Sequence, residues 1–467
     1  METKTVTRKE LTGYASFGAI LALGMVPLQF LNIFLTEDLK ITAGTLGTIL
    51  LAARVIDFLI SFSVGGIIES ANFRSGKYTP WLGLPRFIIY TGLILSFLPL
   101  PLPLFVRAIL VIVAYLMVNT TQSFVTTVQY GVLSLLSGPS IDNRNRLAIA
   151  AVRLTTVATV LTASTSAPVR NAVAGIVGST RSAYIIIAAA YGLFYIAALS
   201  MLSRVAKPYD QPNDPSRAAA RPKITVKDMI RCVVTNKQLI IYLISGTLYF
   251  IGLFSPLQMV AYYYIYILHD PKLLLMAAAT TITTLFSLVS TMIGPKIGLR
   301  LGRKKARFTG QFLAGISAVC IIFFAAHHVA VYIAIMCFSG LSAALYSGFG
   351  VSYIIDCGEY GYWKTGIDNR IVTNSLMNIP MKVSQFVGGS LGLYGLALIG
   401  WKTGMEVTPE FTRKFMLLLG GLPAVCYFCA SFMTLFLYKI DDREAALYAR
   451  ENAERAKARA AGQEAAT

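Results

Sequence analysis

Four ionisable side chains stand inside long apolar stretches of this chain: Arg54, Asp57, Arg153 and Lys382. An ionised group in hydrocarbon is costly, so such residues are rare and face a cavity or a partner. Arg54 and Asp57 lie three residues apart in RVIDFLISFSVGG (54–66), and Ser61 continues the same helix face one turn after Asp57. Two chemistries fit. The charges form a static ion-pair network that pins helices together, or they line a polar cavity. In the second case Asp57 titrates or coordinates a cation, while Arg153 and Lys382 balance its charge or bind substrate. Thr126, Thr127, Gln129 and Tyr130 add hydrogen-bonding groups nearby, or make ordinary helix–helix polar contacts. The tyrosine cluster AYYYIYILHD (261–270), Tyr264 among it, reads as an interfacial belt or as rings that stack on a sugar face.

The elements that carry these residues follow from composition. The 467 residues are 55% hydrophobic and 13% charged, against about 25% charged in a soluble domain. Mean hydropathy is +0.64. Apolar runs long enough to cross a bilayer, about 20 residues each, recur along nearly the whole length. They predict an all-α polytopic membrane protein with twelve spans, near 11–36, 42–69, 80–103, 105–137, 144–174, 182–203, 238–267, 272–296, 307–326, 328–355, 369–400 and 412–438. No sustained alternation suggests an outer-membrane barrel. The N-terminus carries no small-residue cleavage pattern, so no removable signal peptide is expected.

The formal net charge of +19 would suggest nucleic acid in a soluble protein. Here its placement is topological. Lys4, Arg8, Lys9, Arg74, Lys77, Arg144, Arg146, the basic 204–237 linker, the Arg300–Arg307 cluster, Lys364 and Arg370 all fall on one side. The positive-inside rule puts that side, with both termini, in the cytoplasm of a cell (inner or plasma) membrane. No nucleic-acid partner is expected; the partners are the lipid bilayer and a small-molecule substrate, and the monomer is the expected functional unit. The six cysteines read as small core residues, and Cys426–Cys429 lacks the companions a zinc site needs. No cofactor is expected, and no metal beyond a possible Na⁺ at Asp57. With His269, His327 and His328 on external turns, there is no nucleophile–base pair or ligand set for an enzyme.

The linker, with Pro208, Pro212, Pro215 and Pro222, divides the chain into an N-terminal six-helix half (1–203), a linker (204–237), a C-terminal six-helix half (238–438) and a polar tail (439–467). The halves echo each other. Ile-Asp-Asn-Arg occurs at 141–144 and 367–370, where Asp142 and Asp368 suit helix starts. GGIIESANFRSGKYTPW (65–81) and GPKIGLRLGRKKARF (294–308) both run from glycine through a turn to a Gly-basic step. Paired six-helix halves with such loops are the pattern of the major facilitator fold, which binds substrate near the midplane. Arg153, eleven residues past Asp142, lies about 16 Å along its helix; Lys382, fourteen past Asp368, about 21 Å. Both fall deep in the hydrocarbon layer.

ARVIDFLISFSVGGIIESANFRSGKYTPW, together with DCGEYGYWKTGIDNR (356–370) and Lys382 in NIPMKVSQFVGG, resembles the two signatures of the glycoside–pentoside–hexuronide:cation symporters, the family of the melibiose permease. The resemblance covers nearly the whole chain. It implies a secondary transporter working by alternating access. It implies that Asp57 matches the first cation-site aspartate and Arg54 the arginine before it. Thr126 matches a sodium-site threonine, Lys382 the lysine near that site, and Arg153 a substrate-site arginine. The departures are specific. Ser61 and Phe62 stand where the family has a second aspartate and a proline, and Leu23 and Gln129 stand where the melibiose permease has sugar-contacting acids. One carboxylate in place of two weakens a sodium site, since hard cations prefer several oxygen ligands. H⁺ is therefore expected over Na⁺, with a sugar, glycoside or sugar acid as substrate. A lipid-like or other organic anion, an uncoupled facilitator, and a non-transporting sensor or scaffold are the alternatives.

Overall fold

The computed structural model describes residues 6–71, 73–98, 102–138, 141–212, 226–326, 328–367 and 370–464. The expectations placed on Lys4, Arg217, Arg221, Lys223, His327 and Asp368, and on the side chains of Phe62, Asp142 and Arg144, lie outside the described residues.

All regular structure described is helical. The helices are α1 (Arg8–Asp38), α2 (Ala43–Ser70), α3 (Pro80–Gly83), α4 (Pro85–Ser96), α5 (Leu104–Ser137), α6 (Ile141–Val177), α7 (Thr180–Ala206), α8 (Val226–Thr235), α9 (Lys237–Ile267), α10 (Leu274–Leu301), α11 (Arg303–Phe324), α12 (Val329–Ser347), α13 (Gly350–Thr365), α14 (Arg370–Ser375), α15 (Ile379–Leu398), α16 (Pro409–Leu437) and α17 (Asp442–Glu464). Ten helices, α12–α13 counted as one, are long and apolar enough to cross a membrane among the described residues. Of the twelve expected spans, those at 80–103 and 369–400 are not continuous helices. Pro85 divides 80–96 into α3 and α4, and Pro380 follows the break between α14 and α15. Proline cannot donate to the preceding turn, which accounts for both interruptions.

The chain packs as two compact units. The first holds Met1–Arg221 with Ala261–Thr284 and Leu393–Glu406; the second holds Pro222–Val260, Leu285–Gly392 and Val407–Thr467. In the first, α1 packs on α6 and α7, α2 on α5, and α4 on α5 and α7, around Phe17, Val118, Val125 and Tyr195. Close approach needs glycine: a Cβ on Gly18 would lie 2.5 Å from the Thr155 hydroxyl on α6. A capping box starts α1, with the Glu10 carboxylate accepting from Thr7 N–H at 2.7 Å and the Thr7 hydroxyl accepting from Glu10 N–H.

In the second unit α11 packs on α12 and α16, and α9 on α16. Arg307, 2% exposed, has its guanidinium 4.6, 5.1 and 5.0 Å from the ring centroids of Tyr242, Tyr346 and Tyr353. It donates to the Ser245 hydroxyl at 3.0 Å. Three ring faces and a hydroxyl replace the water this cation gives up. The polar tail, to which the sequence assigns no role, forms α17 against α13. Tyr448 packs 4.8 Å from Trp363 and 5.6 Å from Tyr360, Trp363 donates its indole N–H to Glu451 at 2.6 Å, and Asn452 donates to Glu359 at 2.7 Å.

Each unit closes one glycine–basic loop with a borrowed carboxylate. After α2, Gly76 takes φ +127, and Asp210, beyond α7, accepts from the backbone N–H groups of Lys77, Tyr78 and Thr79 at 3.0, 2.9 and 2.6 Å. The Thr79 hydroxyl adds a fourth bond at 2.6 Å. After α10, Gly302 takes φ +85, and Asp442, at the start of α17, accepts from Arg303 N–H at 3.0 Å and from its guanidinium. Arg303 also pairs with Asp356 on α13 at 2.7 Å. The loop echo in the sequence thus extends to a shared way of satisfying backbone donors.

A carboxylate that gathers four donors contributes more than one ordinary bond. Asp210→Ala strands those donors and is expected to cost about 2–4 kcal/mol, read as a lower Tm in detergent. An unchanged Tm would remove the clamp.

Candidate cation and substrate site

Asp57 and Ser61 are presented by α2 toward α5, whose NTTQS run (119–123) interrupts an otherwise apolar helix. Thr120 donates its hydroxyl to Asp57 Oδ1 at 2.7 Å. One turn further, Ser61 donates to the Ser123 hydroxyl oxygen at 3.1 Å. Positions 57 and 61 on α2 meet 120 and 123 on α5, so the two helices run parallel as a ladder with two polar rungs. Arg54, one turn earlier, is 9% exposed, and its guanidinium lies 6.0 Å from the Tyr115 ring centroid. Tyr115 is also in reach of a hydrogen bond from Arg54. Asp57 itself is partly accessible.

The partner of Asp57 on α5 is therefore Thr120, which the sequence reading did not single out. The Thr126 hydroxyl turns back to the Gln122 carbonyl of its own helix at 2.9 Å, and Thr127 does the same to Ser123. Gln129 hydrogen-bonds the hydroxyl of Tyr14 from α1, while Tyr130 is 65% exposed. Arg153 is exposed on α6. Lys382 is half-buried on α15, one turn into the helix, and belongs to the second unit. Tyr264 is 1% exposed, with its ring 5.2 Å from that of Tyr263, and so packs within the protein.

The tyrosine cluster forms neither a lipid-facing belt nor an open sugar platform. Tyr262, Tyr263 and Tyr264 are all buried, and the segment seals the end of the first unit where α1 terminates. The Tyr262 hydroxyl meets the Thr36 hydroxyl at 2.8 Å. Tyr266 donates to Glu37 at 2.6 Å and accepts from Gly404 N–H at 3.2 Å. Thr403 donates to the Thr36 carbonyl at 3.1 Å, and Trp401 stands edge-on to both Tyr262 and Tyr266. Beside them, Arg170, 5% exposed, reaches the Pro271 carbonyl at 3.3 Å, and Asn171 reaches the Lys272 carbonyl at 2.9 Å. Residues from both halves of the sequence thus share one hydrogen-bonded seal.

As a cation site, the ladder offers one carboxylate and the hydroxyls of Thr120, Ser61 and Ser123, already bonded among themselves. Among the described residues no group of three His, Cys, Asp or Glu side chains could hold a metal ion.

The profile of the family described as MFS/sugar transport protein matches residues 11–442. The chain is 21% identical to the isoprimeverose transporter of Lactiplantibacillus pentosus, over 89% of this chain and 85% of that one. It is 22% identical to the glucuronide carrier protein homolog of Escherichia coli (strain K12), over 89% and 88%. A 27% match to the uncharacterized symporter YjmB of Bacillus subtilis (strain 168) spans about half of either protein, 48% of this chain and 49% of that one. Among solved structures, a bacterial homologue of the human drug peptide transporters PepT1 and PepT2 superposes with a TM-score of 0.67 over 95% of this chain and 99% of that one, at 10% identity. That likeness concerns the fold.

Two substitutions separate the roles. A hydrogen bond to a charged group contributes about 1.5–3 kcal/mol. Thr120→Val should therefore lower the apparent affinity for the coupling cation by roughly tenfold or more, and Thr126→Val by less than about twofold, in cation-dependent uptake; equal effects would displace Thr120. For the seal, Tyr266→Phe removes the bonds to Glu37 and Gly404. A cysteine placed at Thr403 should then react several-fold faster with a membrane-impermeant maleimide, and an unchanged rate would deny the seal a role.

Proposed function

The chain belongs to the MFS/sugar transport protein family, and from that premise we propose that it is a proton-coupled symporter of a sugar, glycoside or sugar acid. It is a multi-pass membrane transporter and not an enzyme. The observation that carries proton coupling is the single carboxylate Asp57, held on one oxygen by Thr120, with Ser61 in place of a second acid. A proton needs one carboxyl group, whereas a hard cation such as Na⁺ needs several oxygens, preferably anionic. The hydroxyls beside Asp57 are neutral, which favours the proton. Arg54, one turn away, balances the carboxylate when the proton leaves.

Substrate binding in the first unit falls to Gln129, Tyr130 and Arg153. A cation and no carboxylate in this set favour an anionic sugar over a plain galactoside. The glucuronide carrier among the relatives supports that preference. The excess of Lys and Arg on one side of the spans supports cytoplasmic termini and linker.

Uptake into membrane vesicles, with labelled sugars and glucuronides and with Na⁺ and pH varied separately, tests the reading. An inward proton gradient should drive accumulation. Asp57→Asn should abolish accumulation against a gradient while leaving downhill exchange. Strong Na⁺ stimulation without a pH effect would overturn proton coupling, and failure of every sugar and sugar acid to compete would overturn the substrate class.

A further inference from the structure

A cavity of about 390 Å³ opens where three spans end, lined by Leu301 at the end of α10, Lys304, Lys305 and Phe308 on α11, Leu435 on α16, and Arg443 on α17. Its walls are of two kinds. Lys304, Lys305 and Arg443 bring three cations to the rim, and Leu301, Phe308 and Leu435 form an apolar floor. The two acids that also line it are engaged elsewhere. Asp442 accepts from Arg303, and Asp441 Oδ1 accepts from the N–H groups of Arg443 and Glu444, both at 2.9 Å. None of the three cationic side chains makes an ion pair or a hydrogen bond among the described residues.

The position of the cavity selects its occupant. Leu301 is the last residue of one span and Leu437 of another, so the rim lies at headgroup depth. Phe436 and Leu437, at the end of the span, are 70% and 49% exposed, and Phe432, one turn deeper on α16, is 46% exposed, so apolar surface extends from the rim toward the acyl chains. A soluble anion would use the cations and leave the apolar floor wet. A zwitterionic lipid would use the floor but bring its own cation to the rim. Basic pockets between spans at the membrane surface recognise anionic headgroups.

We propose that this cavity binds one anionic phospholipid, its phosphate held by Lys304, Lys305 and Arg443 and an acyl chain laid on Leu301, Phe308 and Leu435. The lipid bridges the first turn of α11 and the start of α17, the joint that Arg303 and Asp442 already make. This site is separate from the Asp57 ladder and does not depend on the substrate or coupling reading.

Native mass spectrometry of the full chain, delipidated in detergent, tests it. Phosphatidylglycerol is titrated against phosphatidylcholine with the same acyl chains, and inorganic phosphate and glycerol 3-phosphate serve as soluble competitors. Phosphatidylglycerol should bind at least about tenfold more tightly than phosphatidylcholine, and neither soluble anion should displace it at millimolar concentration. Each cation at the surface contributes about fivefold in affinity, so the triple variant K304Q/K305Q/R443Q should weaken phosphatidylglycerol on the order of a hundredfold. The charge-retaining K304R/K305R/R443K should bind within about threefold of the parent, which separates loss of charge from loss of fold. Equal binding of the two lipids, undiminished binding by the neutral variant, loss of binding in the charge-retaining variant, or displacement by inorganic phosphate would each overturn the proposal.

Discussion

A charged or polar group carried into hydrocarbon must bring its partner with it, and this constraint organises both units of the protein. In the first, the carboxylate of Asp57 is met by the Thr120 hydroxyl and Ser61 by Ser123, so that α2 and α5 are joined in register by polar rungs. In the second, Arg307 is enclosed by three tyrosine rings and Ser245. The first arrangement leaves the carboxylate partly accessible, and the second closes the cation off. Asp57 thus stays within reach of solvent, while enclosure makes Arg307 a fixture of the packing.

The same constraint acts at the loops, where the groups to be satisfied are backbone donors. A turn built on Gly76 or Gly302 is too short to return its own N–H groups to a helix. Asp210 and Asp442 supply the acceptors from the chain that follows α7 and α16. The two clamps are not identical. Asp210 binds backbone alone plus one threonine hydroxyl, whereas Asp442 also takes the Arg303 side chain, which extends to Asp356. The second joint therefore couples α11, α13 and the tail helix, and the first fixes a single turn.

What was legible in the sequence follows from which interactions are local. Most spans and the repeated Gly-basic turns are written in contiguous residues and stand in the structure where the periodicity put them, whereas the breaks beside Pro85 and Pro380 depart from the continuous spans expected at 80–103 and 369–400. Thr120 was not legible. Its choice over Thr126 depends on the register of α5 against α2, which no single segment encodes, although the polar run Asn119–Ser123 in an apolar helix is the signal that could have pointed to it. Asp210 and Asp442 were hidden for the same reason: their partners lie 131 to 139 residues away in the chain. The tyrosines at 262–266 were ambiguous because a belt and a buried seal share a composition. Residues near 36 and 401 decide between them.

The composition of that seal bears on how the transporter can work. Alternating access requires two states separated by a small free-energy difference, and a strong lock would favour one of them too far. The seal is built from hydroxyl, amide and carbonyl contacts, with Glu37 supplying a carboxylate and Arg170 a cation that meet neutral partners. Opening it exchanges each such bond for one to water, so the net loss per bond is only about 1 kcal/mol. The apolar faces of Tyr262, Tyr263 and Trp401 then supply most of what holds it shut. Bidentate ion pairs at the same positions would have resisted opening more strongly, because stranding one partner of a buried pair is far more costly than rewetting a hydroxyl. Aromatic packing with weak polar pins is a closure whose opening costs less than breaking buried ion pairs would.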